Sequence, residues 1–305
     1  LSVFVGSRQI VERTVPPRFL APQSIHQNFL GYDISSPPSV ADLIGFGRAN
    51  LLFLTMAVLA VGFYSWALYR VRRNAGGWPR GRTVSWILGW LVVAYVTSSG
   101  IGERAAGSFS LHMIVHMSLN MLVPVLLVMG GPVTLALRAL RPAAKGEMSG
   151  PREWITTFMH SRAAALTSNP LVIYAVFVGS YYVLYFTSLF ETALRYHWSH
   201  QALNLHLILI GYLFYWIAIG VDRAPRPLPH IARLGFTFAA MPFHAFFAIA
   251  IMSSTTVIAE NFYKYLAVPW NADLLKDQYL GGGIAWGTGE IPLDADAAEV
   301  AQPSL

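Results

Sequence analysis

Between Ser110 and Asn120 the chain reads Ser-Leu-His-Met-Ile-Val-His-Met-Ser-Leu-Asn. This stretch lies inside an apolar run long enough to cross a bilayer, where an ionisable side chain is costly and marks a functional site by default. In a helix His112 and His116 share one face, four residues apart, with Asn120 a further turn along. Met113, Met117 and Met121 form a second stripe beside the first. Imidazole with thioether is the ligand set expected for copper, so Cu(I) held by two to four imidazoles is one chemistry the pattern permits. Axial ligation of a haem is the other, using two of His112, His116, His206 and His244 on different helices.

Composition says what must surround these residues. The chain has 305 residues, 55% hydrophobic and 12% charged, with a mean hydropathy of +0.48. Soluble domains carry about 25% charged residues, so the lipid bilayer is the expected partner. The net charge of +6 and pI near 9.6 do not point to nucleic acid. The basic residues sit in short loops between apolar runs, which positive-inside topology explains. The absence of cysteine excludes disulfides, thiolate zinc sites and iron–sulfur clusters, and leaves soft-metal chemistry to Met and His. Residues 1–20 lack the continuous apolar core of a signal peptide. Leu1 in place of an initiator methionine is expected to mark a processed chain or a fragment.

Six apolar runs, roughly 50–70, 84–101, 109–129, 171–191, 201–221 and 234–259, predict an all-α, polytopic integral membrane helix bundle. Residues 1–47 are mixed in polarity and read as an extracytoplasmic segment over the membrane surface. Arg70, Arg72, Arg73, Arg80 and Arg82 occupy the first connection with no acid beside them. Residues 130–170 add Arg138, Arg141, Lys145, Arg152 and Arg162, and the fifth connection adds Arg223, Arg226 and Arg233. Together these hold 13 of the 21 basic residues, which places them on the cytoplasmic side of a plasma membrane. Residues 1–47, 102–108, 192–200 and 260 onward then face outward, while 150–166 reads as an amphipathic helix on the cytoplasmic face.

With that orientation His112 and His116 lie within about two turns of the outer end of the third span. His197 and His200 stand at the entrance of the fifth span, His206 lies deeper, and His244 is near mid-membrane beside Met241-Pro242. Plainer roles compete for several of them. A lone transmembrane histidine often closes an interhelical hydrogen bond, a reading equally open for His206 and His244. His197, beside Trp198, reads as an interfacial anchor. The methionine stripe by itself reads as helix packing, and Pro242 as a kink. The joint placement of His112 and His116 favours function. No Gly-x-Ser-x-Gly or His-Glu-x-x-His motif supports hydrolysis, and Gly281-Gly-Gly is too weak for a phosphate loop. Asp277 and Glu290 read as solvated outer-connection residues, or as aids to an incoming cation.

Phe109-Ser-Leu-His-Met-Ile-Val-His-Met, continuing to Arg138, resembles the signature helix of CtaG-type cytochrome c oxidase assembly proteins. Trp78-Pro, Asn169-Pro170, His206 with Gly211-Tyr-Leu-Phe-Tyr-Trp, Met241-Pro-Phe-His244, Asp277-Gln and Gly282-Gly-Ile-Ala-Trp fit the same family. The resemblance covers about 45–290. Pro225-Arg-Pro-Leu-Pro-His230 and the long N-terminal segment are similar to the actinobacterial form, in which a CopD-like copper-resistance membrane region precedes this one.

The resemblance implies a non-enzymatic role in maturing the haem–copper oxidase, by helping to supply its CuB copper. The expected partners are oxidase subunit I or its assembly intermediates, with the CopD-like region or another protein as copper donor. Carried over residue by residue, His112, Met113, His116, His206 and His244 become the metal ligands. A copper transporter and a haem-binding electron carrier are the alternatives. The implied domain spans 48–293, with 294–305 as a polar tail. The family continues after Gly-Glu-Ile-Pro into a seventh transmembrane helix, whereas here Leu293 meets the polar Asp-Ala-Asp-Ala-Ala-Glu. The reading adopted is that two discontinuous pieces of sequence meet at that point.

Overall fold

Apolar runs without internal charge become long helices, because inside a bilayer only a helix satisfies its own backbone. A computed structural model describes residues 25–301 except 75, 145–147 and 226. The principal helices are α1 (Leu51–Arg73), α2 (Arg80–Ser98), α3 (109–129), α4 (Pro170–Tyr185), α5 (Ser188–Arg195), α6 (His197–Ile219), α7 (His230–Ser253) and α8 (Leu274–Ala301). Among the described residues there is no β-strand, only an isolated bridge between Phe46 and Ser99. The all-α membrane helix bundle expected from composition is the fold observed.

Sequence marks the helix ends. Asn169 accepts from the Leu171 amide ahead of Pro170, pairing a side-chain cap with a proline at the first helical position. Gly220 (φ 69°) ends α6 in the left-handed region, and Gly131 (φ 59°) turns the chain after α3 into the short helix Pro132–Ala139. That helix receives a cap from a distance, since Asp222 accepts from the amides of Val133 at 2.8 Å and Thr134 at 3.0 Å.

Four segments are long and apolar enough to cross a membrane: α1, the α3 segment through Ala139, α6 and α7. The expected second span forms α2, but it opens on Arg80 and Arg82 and is not among the four. The expected fourth span is broken: α4 and α5 meet at 76°, and would make a fifth crossing only if taken as one. Thr187 causes the break by capping a new helix, its hydroxyl accepting from the Leu189 amide. In its apolar window the α3 segment is 67% buried and α6 61%, against 28% for α1 and 33% for α7. The axis of the bundle is therefore α3 with α6.

Their contact is close. A Cβ on Gly211 of α6 would lie 2.4 Å from the Asn120 carbonyl oxygen and 2.7 Å from Pro124. Pro124 has no N–H to return to that carbonyl, and α3 takes a π turn over Ser118–Leu122 at this point. On the far side, α4 is tied to α7 around Pro242. The Tyr174 hydroxyl donates to the Ala239 carbonyl at 2.6 Å, and the Tyr182 hydroxyl to the Phe243 carbonyl at 2.7 Å.

One expectation is corrected at the end of the chain. Residues from 260 onward do not form only an outer connection, because α8 starts at Leu274 and packs along α7 and α3. The backbone of α8 stays helical past Pro292, through Asp294 to Ala301. Asp277 and the triple glycine dilute its apolar signal, yet the glycines give it its place. A Cβ on Gly281 would meet the Phe109 ring at 2.5 Å, and one on Gly282 the Met252 side chain at 2.5 Å. At the other end, residues 1–24 lie outside the described residues. Residues 25–47 fold over the end of the bundle where α8 starts. His26 Nε2 bonds the Leu266 carbonyl at 2.8 Å, the Trp270 indole N–H donates to the Ile34 carbonyl at 2.6 Å, and the Tyr32 hydroxyl donates to the Glu103 carbonyl at 2.8 Å. Burial, with Glu103 close by, pushes the Tyr32 hydroxyl up to about 12, so it stays a donor.

The glycine seam makes a stability prediction. Gly281→Ala should cost about 1–3 kcal/mol by overpacking against the buried Phe109, seen as a lower midpoint of thermal unfolding in detergent. Gly283→Ala, whose Cβ would meet nothing within 4 Å, should be neutral or slightly stabilising.

Candidate metal centre

The first turn of α3 is fixed before its histidines are. Ser108 caps it, its hydroxyl accepting from the Leu111 amide. Asp277 then reaches across from α8 to accept from the Phe109 amide at 2.6 Å, the Ser110 amide at 3.2 Å and the Ser108 hydroxyl at 2.8 Å. A carboxylate at a helix N-terminus satisfies orphan N–H groups and matches the helix dipole. The solvated-connection reading of Asp277 is therefore corrected: it is a half-buried helix cap. Glu290 lies outside the residues whose side chains are described.

From this fixed start, the four-residue spacing sets His112 against His116, with ring centroids 3.8 Å apart, planes tilted by 58° and both side chains fully buried. His200, one turn into α6, completes the group at 5.2 Å from His112 and 5.9 Å from His116. Each of the three imidazoles offers a ligand nitrogen, and these nitrogens all lie within 4.8 Å of one another. Aromatic rings wall the group: Phe190 of α5 stands edge-on to His112 at 5.0 Å, and Tyr185 ends α4 beside His116. The bend between α4 and α5 brings both walls to the same place.

The hydrogen bonding is lopsided. His116 Nδ1 is 2.6 Å from the Tyr185 hydroxyl. Both nitrogens of His112, Nε2 of His116 and Nε2 of His200 are buried without a hydrogen-bond partner. An unsatisfied buried polar atom costs about 1–3 kcal/mol, and four in one place is a concentration that packing does not explain. The donor set is all neutral nitrogen, with no carboxylate in the group. His200 is partly exposed while the other two are buried, so the group lies nearest the protein surface at His200.

The remaining sequence candidates fall elsewhere. His206 is exposed and bonds the Ser180 hydroxyl at 2.9 Å, the interhelical role allowed for it. His244 is buried and meets Tyr181 and Phe247, with both nitrogens unpartnered, outside the three-histidine group. Met113 is buried in the core cluster with Phe109, Met117 and Tyr185. Met121 accepts from the Tyr215 hydroxyl at 3.1 Å, which suits the packing role of that stripe. Asn120, within the π turn, donates to the Tyr181 hydroxyl at 2.7 Å and does not join the imidazoles.

His200 was not singled out from sequence as a ligand. A signal for it exists: His200 and Asn204 repeat on α6 the four-residue spacing of His116 and Asn120 on α3. His197, its neighbour, is exposed and bonds Gln201, consistent with an interfacial residue.

The fold and this cluster define an all-α membrane helix bundle with a buried trihistidine group at one end of its axial helices. The chain belongs to the cytochrome c oxidase caa3 assembly factor family (Caa3_CtaG), which it matches over residues 62–296. It is 47% identical over 279 residues to an uncharacterized protein of Mycobacterium leprae, covering 91% of this chain and 42% of the relative. Uncharacterized proteins of Mycobacterium bovis and Mycobacterium tuberculosis are 43% identical over the same length. The chain thus spans less than half of the curated relatives it matches. No solved structure matches it.

Asp277→Ala removes the cap that sets the His112 turn, at an expected cost of about 0.5–2 kcal/mol. Amide exchange at Phe109 and Ser110 should accelerate in that variant. Unchanged exchange there would contradict the capping role.

Proposed function

We propose that this chain assists assembly of cytochrome c oxidase by holding Cu(I) at His112, His116 and His200 and releasing it toward the CuB centre. The observation that carries the reading is the convergence of three imidazoles from two helices, one nitrogen of each within 4.8 Å of the others, inside an apolar wall. Imidazole nitrogen suits copper, zinc, iron and nickel alike, so the surroundings must choose among them. A cation entering a carboxylate-free, water-poor site keeps its full charge uncompensated. The Born cost rises with the square of charge, about fourfold from a monovalent to a divalent ion. That favours Cu(I) over Zn(II) or Cu(II).

The role is transfer rather than catalysis. Neutral ligands without a thiolate bind a soft cation and let it go by ligand exchange, and the partly exposed His200 is the edge at which exchange starts. With the positive-inside orientation the group lies toward the outer face of the plasma membrane, the side on which an oxidase's CuB is reached. The oxidase or its assembly intermediates are the recipient, and a CopD-like region or another copper protein the donor. A haem reading has less support, because the partners on other helices that it would use, His206 and His244, bond Ser180 and pack on Tyr181 away from the His112–His116 pair. For a transporter, His244 is the imidazole near mid-membrane, and it stands apart from the three.

His112→Ala/His116→Ala and His200→Ala should insert normally but give oxidase lacking most of its CuB, measured as copper per haem in purified oxidase. His206→Ala should leave that ratio unchanged. Full copper loading of oxidase in the His112/His116 double variant contradicts the assignment.

A further inference from the structure

The short hydrogen bond of His116 goes to a phenol, with the buried Asn204 side chain of α6 also close to the ring. Its Nδ1 is 2.6 Å from the Tyr185 hydroxyl, which leaves the buried Nε2 as the nitrogen free for the other imidazoles. A neutral imidazole carries one N–H and one lone pair, and only the lone pair can take a cation. With the hydrogen on Nε2, His116 would push a buried N–H at its two neighbours and offer no ligand. With the hydrogen on Nδ1, that N–H donates to the Tyr185 oxygen and the Nε2 lone pair points into the group.

We infer that Tyr185 is the positioning residue of this centre: it accepts the Nδ1–H of His116 and so presents Nε2 to the bound cation. The inference rests on the reading of the three histidines as a Cu(I) site. Metal-bound histidines commonly donate their second N–H to a carboxylate, a carbonyl or water, which orients the ring and fixes the tautomer. A phenol performs the same service without adding a charge, so the site stays neutral. Tyr185 is itself held from three sides, with Phe190, Phe247 and Phe109 rings at 4.8, 5.3 and 5.9 Å. Its hydroxyl therefore has little freedom to leave His116.

The neighbouring phenol supplies a control. Tyr181, one turn earlier on α4, meets α3 in the same way but takes the Asn120 amide instead of an imidazole. One face of α4 thus presents two hydroxyls to α3, and only one of them touches the centre.

The test is Cu(I) affinity of the full chain in detergent, by competition with a chromophoric chelator, together with nitrogen NMR of histidine-labelled protein loaded with Cu(I). Tyr185→Phe keeps the aromatic packing and removes only the oxygen. It should bind Cu(I) about 10- to 100-fold more weakly, while Tyr181→Phe binds as the unmodified chain does. The loaded protein should show a histidine protonated at Nδ1 and bound through Nε2, and this signature should broaden or vanish in Tyr185→Phe. Equal affinity in Tyr185→Phe, or a His116 bound through Nδ1, overturns the role of Tyr185 and leaves the centre standing. Failure of the unmodified chain to bind Cu(I) overturns the centre, and this inference with it.

Discussion

A buried imidazole nitrogen needs a partner, and the centre of this bundle gathers four that have none. Much of the surrounding structure serves to keep that arrangement in place. Asp277 anchors the start of α3 from α8, so the His112 turn cannot fray. The bend at Thr187 folds α5 back to seat Phe190 against His112, where a straight continuation of α4 would carry it away. Gly211 lets α6 come close enough to α3 for His200 to reach the pair. Each of these is a backbone or capping device, and none of the residues is itself a ligand candidate.

The π turn sorts the polar residues of α3 into two tiers. Before it, His112 and His116 face α6 and the end of α4. Within it, Asn120 engages Tyr181 deeper in the bundle. An unbroken α-helix would set Asn120 a turn below His116 on the same stripe, adding an amide to the imidazoles. The extra residue, with Pro124 withholding its N–H four residues later, leaves the group as nitrogen donors alone.

Much of this was legible in the sequence. Long apolar runs gave most of the helices, and the His112–His116 pair stood out because two imidazoles at helical spacing in hydrocarbon are costly. The family resemblance, carried by the same helix, holds across residues 62–296. Three features were hidden for identifiable reasons. Hydropathy cannot see α8, because the glycines that let it pack closely also lower its apolar signal. It cannot see the α4–α5 bend, since Phe186 and Thr187 are ordinary membrane residues until Thr187 acts as a cap. Above all it cannot pair helices, and so His200, at the mouth of α6 beside the interfacial Trp198, looked like one more surface histidine.

The account stands or falls on what the three imidazoles hold, and X-ray absorption at the copper edge of the Cu(I)-loaded chain addresses it most directly. Ligation by about three nitrogen scatterers and no sulfur, lost in His200→Ala, is the result this account predicts. A sulfur scatterer would instead bring Met113 or another methionine into the first coordination sphere. Copper ligation that survives loss of His200 would contradict the trihistidine centre itself.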